Sequence, residues 1–257
     1  MLELHDKSVV TEQLTNGNVL KILSLKREEF NNLVSTLIEL LPEYYVDPVS
    51  IASTLERLGK NAAAQKLRDK IPEVKNIRSG DIGEVLTADY IDEYTGYSVP
   101  IRKLRWRDHR NMAMRGDDVI GVLVSEDGQS IRFLKAEAKS NKSLGRQVLR
   151  DAQKELDLDK GLPSPHALAF VSERLNELGN HDLSNLIEKV QLDYGINANQ
   201  VEHLLFTFTA SNPARLQKEA FDAYDGNIVQ NSIGFRVVEH QKLIEDVFQG
   251  VINDLDD

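Results

Sequence analysis

Residues 116–139 read GDDVIGVLVSEDGQSIRFLKAEAK, and this stretch predicts a β-hairpin. Residues 119–124 form an apolar run rich in β-branched side chains, and residues 131–139 alternate well enough to form a second strand. Between the two runs, Asp127-Gly128 is a strong signal for a two-residue hairpin turn. The position of this turn sets the register of the predicted hairpin.

This register brings two acids together across the hairpin. Asp118 falls opposite Glu137, and Lys139 shares the face of Glu137 because side chains two apart on a strand point the same way. Opposed carboxylates repel each other, and a divalent cation between them removes the repulsion. We therefore predict a metal site with Asp118 and Glu137 as ligands, and the Ala138 carbonyl as a further candidate. Alternation directs Asp117 to the opposite face, although a bulge at the start of the strand would exchange the two aspartates.

The composition is that of an ordinary globular protein and excludes several kinds of site. The chain has 257 residues, of which 41% are hydrophobic and 28% charged. It contains no cysteine, which excludes a disulfide framework, a thiolate nucleophile and a cysteine zinc site. The six histidines lack the spacing of a metal site. The sequence shows neither a membrane-spanning run nor a signal-peptide layout, so we expect a cytoplasmic protein.

Positive charge is concentrated in one stretch of an acidic chain. The formal net charge is −10, but residues 101–116 contain six basic residues and one acid. A charge run of this kind is often a solvated loop. Here it lies next to the predicted hairpin, so we predict contacts with nucleic-acid phosphates, helped by a partner that supplies most of the affinity. The predicted phosphate-binding residues are Arg102, Lys103, Arg105, Arg107, Arg110 and Lys142.

The rest of the chain predicts a mixed α/β protein in two regions. Residues 1–77 read as a helical N-terminal region after a short extended opening, and residues 78–257 as the region that contains the hairpin. We predict helices over residues 26–41, 47–58, 61–70, 79–94, 142–156, 168–178, 183–190 and 241–255, and further strands over 97–104, 201–209 and 235–239.

An Asp on one strand and Glu-x-Lys on the next resemble the PD-(D/E)xK nuclease superfamily. The resemblance implies a restriction-endonuclease-like core in the order α-β-β-β-α-β, here with a helical insertion before the fourth strand. It implies catalytic roles for Glu84, Asp118, Glu137 and Lys139, and Mg²⁺ as the cofactor, with Mn²⁺ able to substitute. Lys139 would orient or deprotonate the attacking water and stabilise charge at the phosphate. For Glu84 the alternative is an acid that favours the dipole at the start of its helix.

Three longer stretches resemble the HamA family, the effector nucleases of the Hachiman anti-phage defence systems. They are RSGDIGEVLTADYI from residue 78, RGDDVIGVLVSEDG from residue 115 and FLKAEAKSNKSL from residue 133. This resemblance implies degradation of DNA and a helicase partner, HamB, that holds the nuclease inactive. Two other functions remain possible from the sequence. One is a catalytically inactive nuclease fold that acts as a regulatory or DNA-binding subunit, and the other is a metal-free helical interaction protein.

Overall fold

The computed structural model describes residues 1–15 and 17–256, and over these residues the chain has a mixed α/β fold. The strands are β1 (Ser8–Thr15), β2 (Asn18–Leu25), β3 (Val119–Val124), β4 (Ile131–Asn141), β5 (Val201–Thr209) and β6 (Gln230–Arg236). The helices are α1 (Phe30–Tyr45), α2 (Pro48–Leu58), α3 (Lys60–Arg68), α4 (Lys75–Tyr94), α5 (Arg146–Asp157), α6 (Pro165–Glu177), α7 (His181–Lys189), α8 (Ala214–Asp222) and α9 (His240–Asp254).

Within the described residues, six strands form one sheet in the order β1-β2-β6-β5-β4-β3. The strand β5 lies at the centre and runs parallel to both β4 and β6, while β2 runs parallel to β6. The bounds predicted for β5 are confirmed, because its nearly continuous apolar sequence suits a strand covered on both faces. The two hairpins, β1–β2 and β3–β4, form the two ends of the sheet.

The predicted register of the β3–β4 hairpin is confirmed. Val119 pairs with Ala136 and Val124 with Ile131, so the next pair outward is Asp118 with Glu137. The turn is wider than predicted: the Gly128 N–H donates to the Ser125 carbonyl at 2.8 Å. Gly128 therefore closes the turn at a positive φ of 69° instead of occupying its centre.

The predicted strand over residues 97–104 is wrong. Only Ser98 bridges to β3, where it pairs with Val122, and a short 3₁₀ helix begins at Lys103. The Val99 N–H donates instead to Asp92 Oδ1 at 2.7 Å, and Pro100 has no N–H to donate. A ladder with β3 therefore cannot extend beyond Ser98.

The N-terminal region, predicted to be helical after a short extended opening, contains two strands as well as helices. Residues of β1 and β2 form a hairpin, and β2 joins the central sheet. The region shares one hydrophobic core with the C-terminal helix, since Leu33 and Leu37 of α1 cluster with Leu243 and Val247 of α9. The helix α1 continues past Pro42, where we expected it to stop, because its last turn buries Tyr44 and Tyr45 in the same core.

The remaining predicted helices are confirmed with small shifts of their ends, and α2 is capped by Asp47 as its sequence indicates. The helices α6 and α7 lie between α5 and β5, where the sequence predicts two helices. The sequence did not predict α8, and the last strand is β6 over residues 230–236 instead of 235–239. In the part of the chain that the structure describes, no helix is both long and apolar enough to cross a membrane.

Candidate active site at the β3–β4 hairpin

The acid that precedes β3 is held against β4 by a backbone hydrogen bond. The Ala138 N–H donates to Asp118 Oδ2 at 2.9 Å. This bond places the Asp118 carboxylate beside Glu137 and Lys139, which flank Ala138 on β4. The Lys139 ammonium donates to Glu137 Oε1 in a short contact. The hairpin alone therefore brings together two acids and one lysine, as the sequence predicts.

The helix α4 adds Glu84 to this group. Gly83 lies so close to β4 that a Cβ atom at its position would be 3.2 Å from Ser140 Cβ. This close approach places α4 directly against the strand that carries Glu137. The Glu84 side chain is 17% exposed, and its Oε2 lies 3.5 Å from the Lys103 ammonium.

Lys103 lies between Glu84 and Asp118. Its Nζ is 3.5 Å from Glu84 Oε2 and 3.8 Å from Asp118 Oδ1, and it donates to the Asp117 carbonyl at 3.1 Å. Its side chain is only 12% exposed. We predicted Lys103 as a surface contact to phosphate, and the structure instead makes it an internal cation of the site.

The electrostatics of the site favour added positive charge. Burial, together with the negative charge of Asp118, raises the pKa of Glu84 to about 8, and Lys103 only partly offsets this. The pKa of Glu137 is likewise raised to about 8 by burial and by Asp118, with Lys139 opposing the shift. The nearby carboxylates outweigh the burial of the two lysines and raise the pKa of Lys103 and of Lys139. The two lysines therefore only partly compensate the negative charge of the three acids Glu84, Asp118 and Glu137.

The two adjacent aspartates have different surroundings. Asp117 accepts from the Ser164 N–H at 2.8 Å, and its Oδ1 lies 3.6 Å from the buried Lys135 ammonium. Lys135 lies on the same face of β4 as Glu137, so Asp117 does not point to the opposite face as alternation predicts. Asp117 precedes the first paired residue of β3, and the alternation of the strand does not extend to it. Asp118, not Asp117, is the aspartate whose charge raises the pKa of Glu137.

The donor set can be compared with what a metal ion requires. Among residues 1–15 and 17–256, no group of three His, Cys, Asp or Glu side chains is arranged to hold a metal ion. The ammonium of Lys103 occupies the space between two of the three acids. The oxygen donors themselves have the chemistry that Mg²⁺ prefers.

Most of the basic residues that we predicted as phosphate contacts are paired with acids. Arg107 is 4% exposed and forms a bidentate pair with the buried Asp81, so it lies inside the protein and not on a binding surface. The others are more exposed: Arg102 pairs with Asp92, Arg105 with Asp47 and Arg110 with Glu73, and the Lys142 side chain is exposed.

Sequence reasoning missed the structural role of the 101–116 stretch. The pairs Arg102–Asp92, Arg105–Asp47 and Arg107–Asp81 tie this stretch to the helical part of the chain. The sequence signal for this role was the spacing of residues 103, 105 and 107, which alternate and are all basic. In the structure each of them contacts a different acid. The acids that pair with these three residues are 15 to 58 positions away in the sequence, so a local pattern does not reveal them.

Comparisons with known proteins match most of the chain. The model of the HamA family matches residues 1–251 of the chain. The Hachiman protein HamA of Bacillus cereus is 23% identical over 186 residues, an alignment that covers 63% of this chain and 66% of the relative. The match thus spans just under two-thirds of that relative's length.

Proposed function

The chain belongs to the HamA family, and from this we propose that it is a Mg²⁺-dependent deoxyribonuclease that acts in anti-phage defence. The observation that carries the proposal is the convergence of Glu84, Asp118 and Glu137 with Lys139 at one end of the sheet. Family membership supports the defence role. The chemistry of these four charged side chains supports hydrolysis of a phosphodiester bond.

The carboxylate oxygens of Asp118 and Glu137 have the chemistry that a divalent cation prefers. Asp118 and Glu137 would hold it, with Glu84 as a third acid beside them. When bound, Mg²⁺ would neutralise charge on the scissile phosphate and lower the pKa of a coordinated water. Burial and the negative charge of Asp118 raise the pKa of both Glu84 and Glu137, so positive charge added beside them would be favourable. A bound cation would stabilise the ionised carboxylates and so lower both values.

The lysine on β4 is placed to act on the reacting groups. The Lys139 side chain is 26% exposed, and its ammonium contacts Glu137. From there it would orient the attacking water and stabilise the negative charge that develops on the phosphate. The side chains of Glu84 and Lys103 are more buried than that of Lys139, at 17% and 12% exposed. They would therefore hold the other charged groups in position from the buried side of the site.

We expect Lys103→Met to destabilise the metal-free protein and to strengthen the effect of added Mn²⁺. The substitution leaves Glu84 and Asp118 without the cation that lies between them, at a cost of up to about 3 kcal/mol. A metal ion would then replace the missing charge. Thermal denaturation in EDTA and in Mn²⁺ measures both effects, with Lys103→Arg as the variant that keeps the charge. Equal melting temperatures of Lys103→Met and the wild type in EDTA would contradict the role of Lys103.

Nuclease activity is tested directly on plasmid and single-stranded DNA. We expect cleavage with Mg²⁺ or Mn²⁺, none in EDTA, and none by Glu137→Gln in either condition. The alternative function, an inactive nuclease fold that binds DNA or regulates a partner, predicts DNA or partner binding that is independent of metal and no cleavage by the wild type. Metal-independent cleavage that survives Glu137→Gln would place the chemistry elsewhere.

We also propose that the protein works with a helicase partner resembling HamB. A chain of net charge −10 whose basic residues mostly pair with its own acids should bind DNA weakly and with a strong dependence on salt. A DNA-translocating partner would supply the missing affinity. Co-expression should give a stable complex with suppressed nuclease activity, while the isolated chain is more toxic to cells than its Glu137→Gln variant. An isolated chain that cleaves at full rate and never associates with the helicase would remove the partner from the proposal.

A further inference from the structure

A cavity of about 560 Å³ adjoins the candidate active site. It shares Lys103, Asp117 and Asp118 with the site and extends between the loop of residues 106–115 and one side of α6. Its size falls within the range of pockets that hold small ligands, of about 300 to 1,000 Å³. Nothing in the proposed hydrolysis uses this space, so the cavity requires an explanation of its own.

The wall of the cavity is aromatic and cationic. Trp106 and Phe170 meet edge to face, with ring centroids 6.2 Å apart and planes at 90°. The Arg174 guanidinium lies 5.4 Å from the Phe170 centroid and 6.0 Å from that of Trp106. Aromatic rings and arginine planes are the surfaces on which proteins stack unpaired nucleobases.

The aromatic wall is rigidly supported. The Trp106 Nε1–H donates to Glu177 Oε2 at 3.2 Å, and Arg174 donates to Glu177 Oε1 at 2.6 Å. Both rings also pack against the apolar cluster between α6 and the β3–β4 hairpin. The rings are thus held in place before any ligand arrives, which lowers the entropic cost of binding.

The mouth of the cavity carries groups suited to the edges of a base and to its phosphate. His109, His166 and Arg115 are exposed there, and each can donate a hydrogen bond. The acids Asp117 and Asp118 lie at the end shared with the active site. A nucleotide whose phosphate lies at Asp118 could therefore direct its base into the cavity.

From this arrangement we infer that the cavity binds one unpaired base next to the scissile phosphate, so that the substrate is single-stranded or locally unpaired DNA. The inference rests on the proposed nuclease function and specifies its substrate. A base paired and stacked within a duplex cannot enter such a cavity unless it is flipped out, which costs free energy. A single strand enters without that cost.

Trp106 provides the test, because it is the only tryptophan of the chain. In EDTA, where no cleavage is expected, single-stranded oligothymidylate should quench the Trp106 fluorescence in a saturable way. A hairpin duplex at the same concentration should leave the emission unchanged. Phe170→Leu retains an apolar side chain but removes the ring face, and it should weaken single-strand binding about tenfold, measured by fluorescence anisotropy.

A matched control is Tyr194→Leu, which removes an aromatic ring that is 69% exposed and outside the cavity, and should leave binding unchanged. Thermal denaturation checks that Phe170→Leu remains folded. The inference is overturned by equal quenching with duplex, by binding without quenching, or by unchanged single-strand affinity of Phe170→Leu. Metal-dependent cleavage without quenching would remove only the base pocket. Quenching without any cleavage would retain the pocket and remove the proposed nuclease function.

Discussion

Replacing Lys139 with alanine is expected to lower phosphodiester cleavage by at least about 100-fold, the scale of losing one charge-stabilising donor in an active site. The reason is its position: its ammonium contacts Glu137 and is close enough to Asp118 for their charges to interact. A group in this place would act on the water and on the phosphate. The fold and metal binding should persist, because Lys139 is partly exposed and is not one of the proposed metal ligands.

Two further variants make this prediction specific. Lys139→Arg should not restore activity, because a planar guanidinium places its donors differently from a compact ammonium. Lys154→Ala should cleave like the wild type, since Lys154 lies on α5 with its side chain 74% exposed. Initial rates on plasmid DNA with Mg²⁺ and melting temperatures with and without Mn²⁺ separate loss of chemistry from loss of fold. Near wild-type turnover of Lys139→Ala would assign the chemistry to other residues.

The largest effect on stability is expected at the buried ion pair of Arg107 with Asp81. Both side chains are 3% exposed, and the Tyr45 hydroxyl also donates to Asp81 Oδ2 at 2.6 Å. Burial raises the pKa of Asp81, and the Arg107 guanidinium only partly offsets that shift. Arg107→Ala would leave the carboxylate buried without its cation, so we expect a loss of about 3 to 5 kcal/mol in the free energy of unfolding.

The double variant Asp81→Leu/Arg107→Met distinguishes an ion pair from simple packing. Removing both charges avoids the unpaired carboxylate, so this variant should recover more than half of the loss. The exposed pair of Arg146 with Glu219 is the control, and Arg146→Ala should change stability by less than about 1 kcal/mol. Urea denaturation measures all three variants. A cost below 1 kcal/mol for Arg107→Ala would show that the pair contributes little to the fold.

The buried pair of Arg107 with Asp81 limits which substitutions can test DNA binding. Charge reversal at Arg107 would place two negative charges in the core, so any loss of DNA binding would reflect unfolding. Lys142 is the better choice among the predicted phosphate contacts, because its side chain is exposed and it follows directly after β4. Arg105 is intermediate, since it pairs with Asp47 and donates to the Glu43 carbonyl at 2.8 Å.

Local sequence alone determined the hairpin and the acids that it brings together. A strand has a side-chain period of two and a turn has few allowed geometries, so residues 119–139 specify which side chains oppose each other. The register placed Asp118 beside Glu137 even though the turn is wider than expected. The sequence predicted β5 and the capped start of α2 for the same reason. The apolar run of a strand buried on both faces and the cap of a helix each depend on residues that are neighbours in the sequence.

Tertiary structure decided what depends on residues far apart in the chain. Residues 97–104 contain strand-forming side chains, yet Asp92 takes the Val99 N–H and Pro100 offers none, so no strand forms. Lys103 and Arg107 look alike in the sequence. Only the fold brings the first between Glu84 and Asp118 and the second against Asp81. The sequence shows which side chains are ionisable. Long-range packing decides which acid each basic side chain contacts and how much of its hydration it loses.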